Sequence, residues 1–358
     1  MKQVGNFCVT VLVLFSVISA AAQTTAYHQT NLVSNLPATA VHTDIRFINP
    51  WGLAFIPGQP FFIADNPQGV VRVYDGAGNH QFPGVFGVIP AAGSSAPATP
   101  SGIIRNPFTQ FGDFTLAGTA SQFLVATQDG TISGWASVDG ATPAFATQAI
   151  DNSSAGAAYT GLAILAPQCC LEFLAVANFH SGFIEPYTVF FDRLAPPGSF
   201  TDPELPAGYA PFNIQKIGTR VFVTYALQDS KKHDPVPGPG NGLVDIFDHE
   251  GNFVKRFVSH GPLNAPWAVV KASAHFGMFS NAILIGNFGD GTVTAFDSTT
   301  GRFLGRLKNA AGKVITNSGL RGLTFGAGGT GSTNILYFTA GVKQGQGGLF
   351  GAISVSLP

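Results

Sequence analysis

One pattern recurs six times along this chain, at a spacing close to 50 residues. Each copy contains a short strand centred on a small residue, then an apolar strand that ends in a polar residue, a glycine-containing turn and another strand. The aligned small positions, which are 50, 59, 52, 55 and 54 residues apart, are Gly52, Gly102, Gly161, Asn213, Ala268 and Gly322. A near-constant period of this length with several strands per unit is typical of a β-propeller.

We therefore predict an all-β fold, a six-bladed β-propeller of four-stranded antiparallel blades over residues 23–358. Two units carry a clear fourth strand, "NFVKRFV" and "RFLGRLK", whereas the sixth has none. The spare strand from Ala26 to Ser34 is expected to join the last blade, because closing the ring removes open sheet edges. Small residues are expected at the crowded axis, and bulky phenylalanines between the blades.

The composition excludes two classes of partner. The chain is 45% hydrophobic and only 10% charged, with a formal net charge of −1. Lys231 and Lys232 form its densest basic cluster. The chain therefore has no basic cluster of the kind that binds nucleic acid or anionic membranes.

The first 22 residues predict a signal peptide. Lys2 supplies the positive start, an apolar run begins at Val9, and Ala20 to Ala22 provide small residues for cleavage. No second apolar stretch reaches spanning length, so we expect no membrane span after cleavage. We expect the mature protein to be secreted or periplasmic, and monomeric.

Two adjacent cysteines follow the third inner strand. Cys8 leaves with the signal peptide, whereas Cys169 and Cys170 would remain in an oxidising compartment. Neighbouring cysteines can close only a strained ring. A vicinal disulfide and a pair of free thiols are both open at this point.

The repeats resemble known propellers. The segments "IADNPQGVVRVYD", "ATQDGTISGW", "VANFHSGFIEPY" and "ILIGNFGDGTVTAFD" are similar to NHL-type six-bladed propellers. The chain after Gln23 resembles a family of uncharacterised exported bacterial propellers, some of which carry a C-terminal sorting tail. The resemblance implies the fold and brings no activity. This chain departs from it by ending in "GAISVSLP", and by carrying Arg321 in "LRGLTFG", where the family pattern has an aromatic residue.

Polar residues follow the second strands of the units. In a propeller those strand ends and the links between blades lie on one face, around the axial channel, where converging polar groups predict a binding site. The predicted ligand-binding residues are Asp65, Asn66, Asn178, His180, Asp229, Asn287 and Asp290. An alternative stays open, because Asp and Asn also serve tight turns and a lone His can be structural.

Two functions fit this arrangement. The first is a non-catalytic binding module for a neutral glycan, a polypeptide or a small molecule. The alternative is a metal-dependent hydrolase or lyase of the lactonase-like kind, with Ca²⁺ held by Asp65, Asn178 and Asn287. Such enzymes resemble this chain in fold but place an acidic residue where it has Asn49.

The longest charged loop interrupts the fourth unit on the predicted binding face. It runs from Leu227 to Gly242 as "LQDSKKHDPVPGPGNG". Long loops within compact domains are often functional. This loop is expected to be either a lid or partner contact, or a solvated insertion.

Overall fold

A computed structural model describes residues 1, 25–136, 145–167, 171–195, 198–329 and 331–356, with the backbone alone for residues 82–84. The predicted signal peptide and the Cys169–Cys170 pair lie outside the described residues. Within them, the model contains no helix with the length and apolar character that crossing a membrane requires.

The described chain is built from strands joined by turns and four short 3₁₀ segments: Asn66–Gln68, Thr109–Phe111, Ser153–Ala155 and Gly277–Phe279. The strands, in chain order, are β1 Tyr27–Ser34, β2 His42–Thr43, β3 Pro50–Phe55, β4 Phe61–Asp65, β5 Val70–Tyr74, β6 His80–Gly87, β7 Pro100–Arg105, β8 Thr115–Leu116, β9 Thr119–Ala120, β10 Phe123–Thr127, β11 Thr131–Trp135, β12 Thr147–Asp151, β13 Tyr159–Leu165, β14 Phe173–Asn178, β15 Phe183–Thr188, β16 Tyr209–Ile217, β17 Arg220–Leu227, β18 Leu243–Phe247, β19 Phe253–Ser259, β20 Pro266–Lys271, β21 Ile283–Asn287, β22 Val293–Phe296, β23 Phe303–Arg306, β24 Leu320–Phe325, β25 Leu336–Ala340 and β26 Leu349–Val355.

These strands confirm the predicted six-bladed propeller. From the axis outwards, blade 1 is β3-β4-β5-β6, blade 2 is β7-β10-β11-β12 and blade 3 is β13-β14-β15. Blade 4 is β16-β17-β18-β19, blade 5 is β20-β21-β22-β23 and blade 6 is β24-β25-β26-β1-β2. The small hairpin β8-β9 lies apart from the blades.

The ring closes as the sequence predicts. Strand β1 pairs antiparallel with β26, with Tyr27 opposite Val355 and Ser34 opposite Leu349. The amino-terminal strand therefore becomes the fourth strand of blade 6, and β2 adds a short parallel strand outside it. The two ends of the propeller are held together by a ladder of backbone hydrogen bonds, with one shift of register between Asn31 and Val33.

Blade 3 differs from the prediction of four strands, since three are found among its described residues. The chain between β15 and β16 contains four prolines at positions 196, 197, 203 and 206. Proline has no N–H to donate to a ladder, so a proline-rich segment is a poor outer strand. The carbonyl of Val189 instead accepts a hydrogen bond from the N–H of Phe114, in blade 2.

Each blade buries both of its faces against its neighbours. Along β4, Phe61 and Ile63 join the cluster shared with Phe350 of blade 6, whereas Phe62 joins the one shared with Phe123 of blade 2. The ring centroids are 5.6 Å apart for Phe61 and Phe350, and 4.3 Å apart for Phe62 and Phe123. Successive side chains of a strand point to opposite faces, so one apolar run serves two interfaces.

Glycines let the inner strands approach one another closely at the axis. A Cβ on Gly52 would lie 2.8 Å from the carbonyl oxygen of Ser101 and 2.9 Å from the nitrogen of Ile103. A Cβ on Gly102 would lie 3.0 Å from Cα of Gly161. These contacts are with backbone, which cannot move as a flexible side chain can, so a larger residue would force the blades apart.

We expect Gly52→Ala to lower the free energy of unfolding by roughly 2–3 kcal/mol, because the added methyl group overpacks the axis. Gly182→Asn is the control. Gly182 has φ +82° and no atom within 4 Å of a built Cβ, and asparagine tolerates that backbone region. Urea unfolding of both variants checks this, and equal stability of the two would contradict the crowded axis.

The closing strand has its own test at Tyr27, which is 1% exposed, stacks on Phe279 and donates its hydroxyl to the Phe276 carbonyl at 3.0 Å. We expect Tyr27→Ala to cost about 3–5 kcal/mol of stability. The exposed neighbour His28 is the control, and His28→Ala should change stability by less than about 0.5 kcal/mol. Comparable losses for the two variants would mean that β1 does not hold the ring closed.

Candidate functional site

The axis is blocked by six side chains that precede the aligned small positions. We call them the axial plug: Trp51, Ser101, Thr160, Phe212, Trp267 and Arg321. The ring of Trp51 lies 6.4 Å from that of Phe212 in the opposite blade and 6.3 Å from that of Trp267, measured between centroids. The indole N–H of Trp267 donates to the Thr160 carbonyl at 3.0 Å. Aromatic contacts across the ring therefore close the channel.

A narrow cavity of ≈ 40 Å³ continues along the axis, lined by inner-strand residues that include Leu53, Ile103, Leu162 and Leu323. This is room for one or two water molecules at most. A ligand of useful size must therefore bind outside the plug.

Such a space lies on the face where the second strands end. We call it the mouth cavity, and its volume is ≈ 300 Å³. It is lined by the links into blades 1 and 6, by the turns of blades 5 and 6, and by the long loop of blade 4: Asn49, Pro237, Phe288, Gly289, Ser318, Gly319, Arg321, Gly341, Gln344 and Gly345. The predicted face is therefore where a ligand-sized cavity lies, but the seven predicted binding residues are not among its lining residues.

Arg321 is the residue of the plug that also lines the mouth cavity. Its guanidinium carbon lies 3.5 Å from the ring centroid of Phe288 and 4.0 Å from that of Trp51. The side chain is 4% exposed, and its Nε and Nη1 atoms have no hydrogen-bond partner among the described residues. Burial lowers the pKa of Arg321 well below its ordinary value, and the negative charge of Asp234 opposes that change.

The loop 227–242 is folded against the mouth. The N–H of Gly238 donates to Asn264 Oδ1 at 2.7 Å, and the Gln228 side chain donates to the Phe179 carbonyl at 2.5 Å. Pro237 lines the mouth cavity. Of the two expectations for this loop, the geometry favours a cover over part of the mouth.

The three predicted metal ligands share one structural role. The side-chain oxygen of each accepts a backbone hydrogen bond from the link that leads into the inner strand of its own blade. Ile48 N donates to Asp65 Oδ1 at 3.1 Å, Ala158 N to Asn178 Oδ1 at 3.2 Å, and Asn264 N to Asn287 Oδ1 at 3.0 Å. We call these repeated contacts the blade locks.

The remaining polar atoms of two locks are also engaged within the protein. Arg72 Nε donates to Asp65 Oδ2 at 2.5 Å, and both side chains are buried. Burial raises the pKa of Asp65 to about 7, and the ion pair with Arg72 opposes the rise. The Asn178 amide donates to Glu185 Oε1 at 2.8 Å, and Glu185 in turn accepts from Tyr159 and Tyr187.

The other predicted residues hold turns or links. Asn66 donates to the Pro100 carbonyl and to Gln128, Asp290 accepts from Thr292 N, and Asp229 accepts from His233 N. No hydrogen bond or ion pair within the described residues joins any two of the seven predicted residues. Nor do the described residues contain a group of three His, Cys, Asp or Glu side chains placed to hold a metal ion. Whether any of the seven contacts a ligand stays a prediction.

His180 lies in the turn between β14 and β15 of blade 3, and a Cβ on Gly156, in the link into that blade, would be 3.3 Å from its Nε2 atom. Its backbone carbonyl accepts a hydrogen bond from Gln228, in the loop that covers the mouth. The residue therefore contacts the base of the covering loop through its backbone.

Sequence reasoning missed the side chains that line the mouth cavity. Phe288 follows Asn287 directly, but the prediction rests on polar residues and so leaves Phe288 out. In the sequence, Arg321 stands out only as a departure from an aromatic position. That departure is a usable signal, because a charged residue at a position expected to be buried needs a partner or a polar cavity beside it.

Comparisons with known proteins bear on the family and the fold. No protein-family model matches the chain. The streptogramin B lyase structure aligns with a TM-score of 0.52 and 12% identity, covering 93% of this chain and 98% of that one. The soluble aldose sugar dehydrogenase of Escherichia coli aligns with a TM-score of 0.58 and 11% identity, and the alignment covers 92% of this chain and 100% of that one. Identities this low show a shared propeller fold and nothing more.

Relatives in sequence correct one expectation. Uncharacterized protein R648 of Acanthamoeba polyphaga mimivirus is 33% identical over 333 residues, which cover 90% of this chain and 78% of R648. The curated relatives found are proteins of this virus, so the expectation of a bacterial family is replaced by one with viral members. At this identity and coverage, the chain belongs to the same protein family as mimivirus R648.

Proposed function

We propose that this propeller is an exported, non-catalytic binding module whose ligand occupies the mouth cavity. The observation that carries the proposal is the cavity itself. It is closed below by the axial plug, covered on one side by Pro237 of the loop, and large enough at ≈ 300 Å³ for a small molecule or the end of a chain. The predicted signal peptide supports a location outside the cytoplasm.

The lining supports binding without catalysis. Among the described lining residues there is no carboxylate, imidazole, thiol or lysine. General acid–base catalysis needs a group that can take or give a proton within hydrogen-bond reach of the substrate. A guanidinium surrounded by glycine, serine and amide groups can orient a ligand but is a poor proton acceptor.

The metal-dependent alternative needs the blade locks to serve as ligands. A calcium ion would have to replace the backbone and ion-pair contacts of Asp65, Asn178 and Asn287 in three different blades. Because those contacts are made within the protein, the geometry supports a structural role for them. The likeness to a lyase and to a sugar dehydrogenase adds no argument, since it extends to the fold alone.

We expect millimolar Ca²⁺ or EDTA to change the unfolding midpoint by less than about 1 °C, because the described residues hold no group of three His, Cys, Asp or Glu placed for an ion. Asn178→Ala should lower stability by about 1–3 kcal/mol, because Glu185 and the N–H of Ala158 lose their partner. Calorimetry and elemental analysis check both statements. Stoichiometric calcium that Asn178→Ala releases would instead support the metalloenzyme.

The binding function is tested with protein that carries ¹⁵N-labelled tryptophan. The chain has three tryptophans, of which Trp51 belongs to the plug and Trp135 lies in the outer part of blade 2. With a panel of neutral sugars, dipeptides and small carboxylates, we expect at least one probe to shift the Trp51 indole signal and leave Trp135 in place. That probe should be recovered chemically unchanged.

Filling the cavity should abolish this response. Ser318 is exposed and lines the mouth cavity, so Ser318→Trp places a large side chain in the ligand's space. Thr299→Trp, in the exposed turn between β22 and β23 on the other face, is the matched control. A probe that still binds to Ser318→Trp, or one that is consumed, would contradict the proposal.

A further inference from the structure

We propose that the ligand of the mouth cavity is a small organic carboxylate, bound through Arg321. This inference rests on the proposed function and names the chemical class of its ligand. It is carried by the placement of a buried cation whose Nε and Nη1 donors have no partner among the described residues.

Aromatic rings hold the guanidinium of Arg321 in place, and none of the described ion pairs includes it. Phe288 and Trp51 contact it at 3.5 Å and 4.0 Å, and Phe212 lies 5.8 Å away. Cation–π contacts of this kind stabilise an arginine that has lost its water. They occupy the faces of the planar group and leave its N–H donors, which lie in the plane, for other partners.

At least two of the three guanidinium nitrogens have no partner among the described residues. Nε and Nη1 are buried without a partner, and the described ion pairs of the protein do not include Arg321. The indole N–H of Trp51, on the ring that contacts the guanidinium, is also buried without a partner. A buried donor without a partner destabilises the protein, a charged one most of all, so a ligand that accepts these bonds relieves that cost.

Other arginines of this chain show what the fold normally supplies. Arg72 is buried against Asp65, and Arg256 is paired with both Asp202 and Asp245. Arg321 is as buried as Arg72 yet faces a cavity where the others face a carboxylate. The cavity therefore takes the place that a carboxylate side chain occupies elsewhere in the protein.

The charge balance favours a monoanion. Arg321 is the charged residue of the described cavity lining, and Asp234 of the covering loop is near enough to influence it. One carboxylate neutralises one guanidinium and matches its paired donors geometrically. A phosphate dianion would leave a negative charge uncompensated beside Asp234, so the site should discriminate against it.

The rest of the lining describes the body of the ligand. Phe288 offers an apolar ring face, and Asn49, Ser318 and Gln344 offer polar side chains around it. The volume of ≈ 300 Å³ suits a compact molecule of one ring or a short chain. A ring bearing one carboxylate, with or without hydroxyl groups, has this shape and polarity.

Two matched pairs of probes test the assignment on the wild-type protein. Glucuronate is compared with glucose, and benzoate with benzamide, so that each pair differs in the anion and little else. Inorganic phosphate is the third arm. We expect each carboxylate to shift the Trp51 indole signal with a Kd on the order of 0.1–1 mM, at least about tenfold tighter than its neutral partner or phosphate.

Variants then assign the effect to Arg321. Arg321→Met keeps an unbranched apolar side chain in the plug and should weaken carboxylate binding at least about tenfold. Arg321→Lys keeps the charge without the paired donors and should also weaken it. Asp234→Asn removes the nearby negative charge and should strengthen binding by about two- to fivefold. Arg302→Met, an exposed arginine on blade 5, should leave it unchanged.

The outcomes separate this inference from the function on which it rests. Neutral probes that shift the Trp51 signal as strongly as their anionic partners would overturn the proposal of a carboxylate ligand and leave the proposal of a binding module standing. Phosphate that binds more tightly than both carboxylates would overturn the assignment of the ligand as a monoanionic carboxylate. A Trp51 signal that no probe moves would overturn both proposals. Because the paired probes are compared on the wild-type protein, the result stands even if Arg321→Met fails to fold.

Discussion

The two-sided packing of each blade is the constraint on which the rest of this structure depends. A twisted sheet of three or four strands cannot cover both of its faces, and here each face is covered by the next sheet around the ring. The side chains of β4 alternate between the cluster with blade 6 and the cluster with blade 2. That arrangement favours apolar residues on both faces of the second strands, which is why a run such as Phe61 to Ala64 shows no alternation of apolar and polar residues. It also requires the ring to close, and β1 meets that need by pairing with β26.

Closure has a consequence at the axis, where the inner strands must come together. Glycine at four of the six aligned positions permits backbone to approach backbone, and the residues just before the aligned positions fill the remaining space. Five of the six plug positions hold aromatic or hydroxyl side chains. The sixth holds Arg321, which the neighbouring rings of Trp51 and Phe288 accommodate. A position that serves packing elsewhere in the ring has thus become the polar floor of the mouth cavity.

The blade locks explain why the polar residues at the ends of the second strands include residues that stabilise the fold. Each repeat has to satisfy the backbone N–H groups of the link that turns into its inner strand. A side-chain acceptor at the end of the second strand does this in blades 1, 3 and 5. The acceptor must be Asp or Asn, the same residue types that would suggest a ligand site. From composition and spacing alone the two roles cannot be told apart; the partner atoms of each side chain distinguish them.

The sequence by itself determined the repeat, the number of blades, the closing strand and the face on which a site would form. Those properties follow from strand length, apolar runs and turn residues, which act locally and recur in every unit. Only the tertiary structure decided which side chains line the mouth cavity. Arg321, Phe288 and Pro237 are far apart in the sequence and belong to three different blades. They lie close together because of how the ring closes and where the loop 227–242 folds back. Local sequence patterns predict neither.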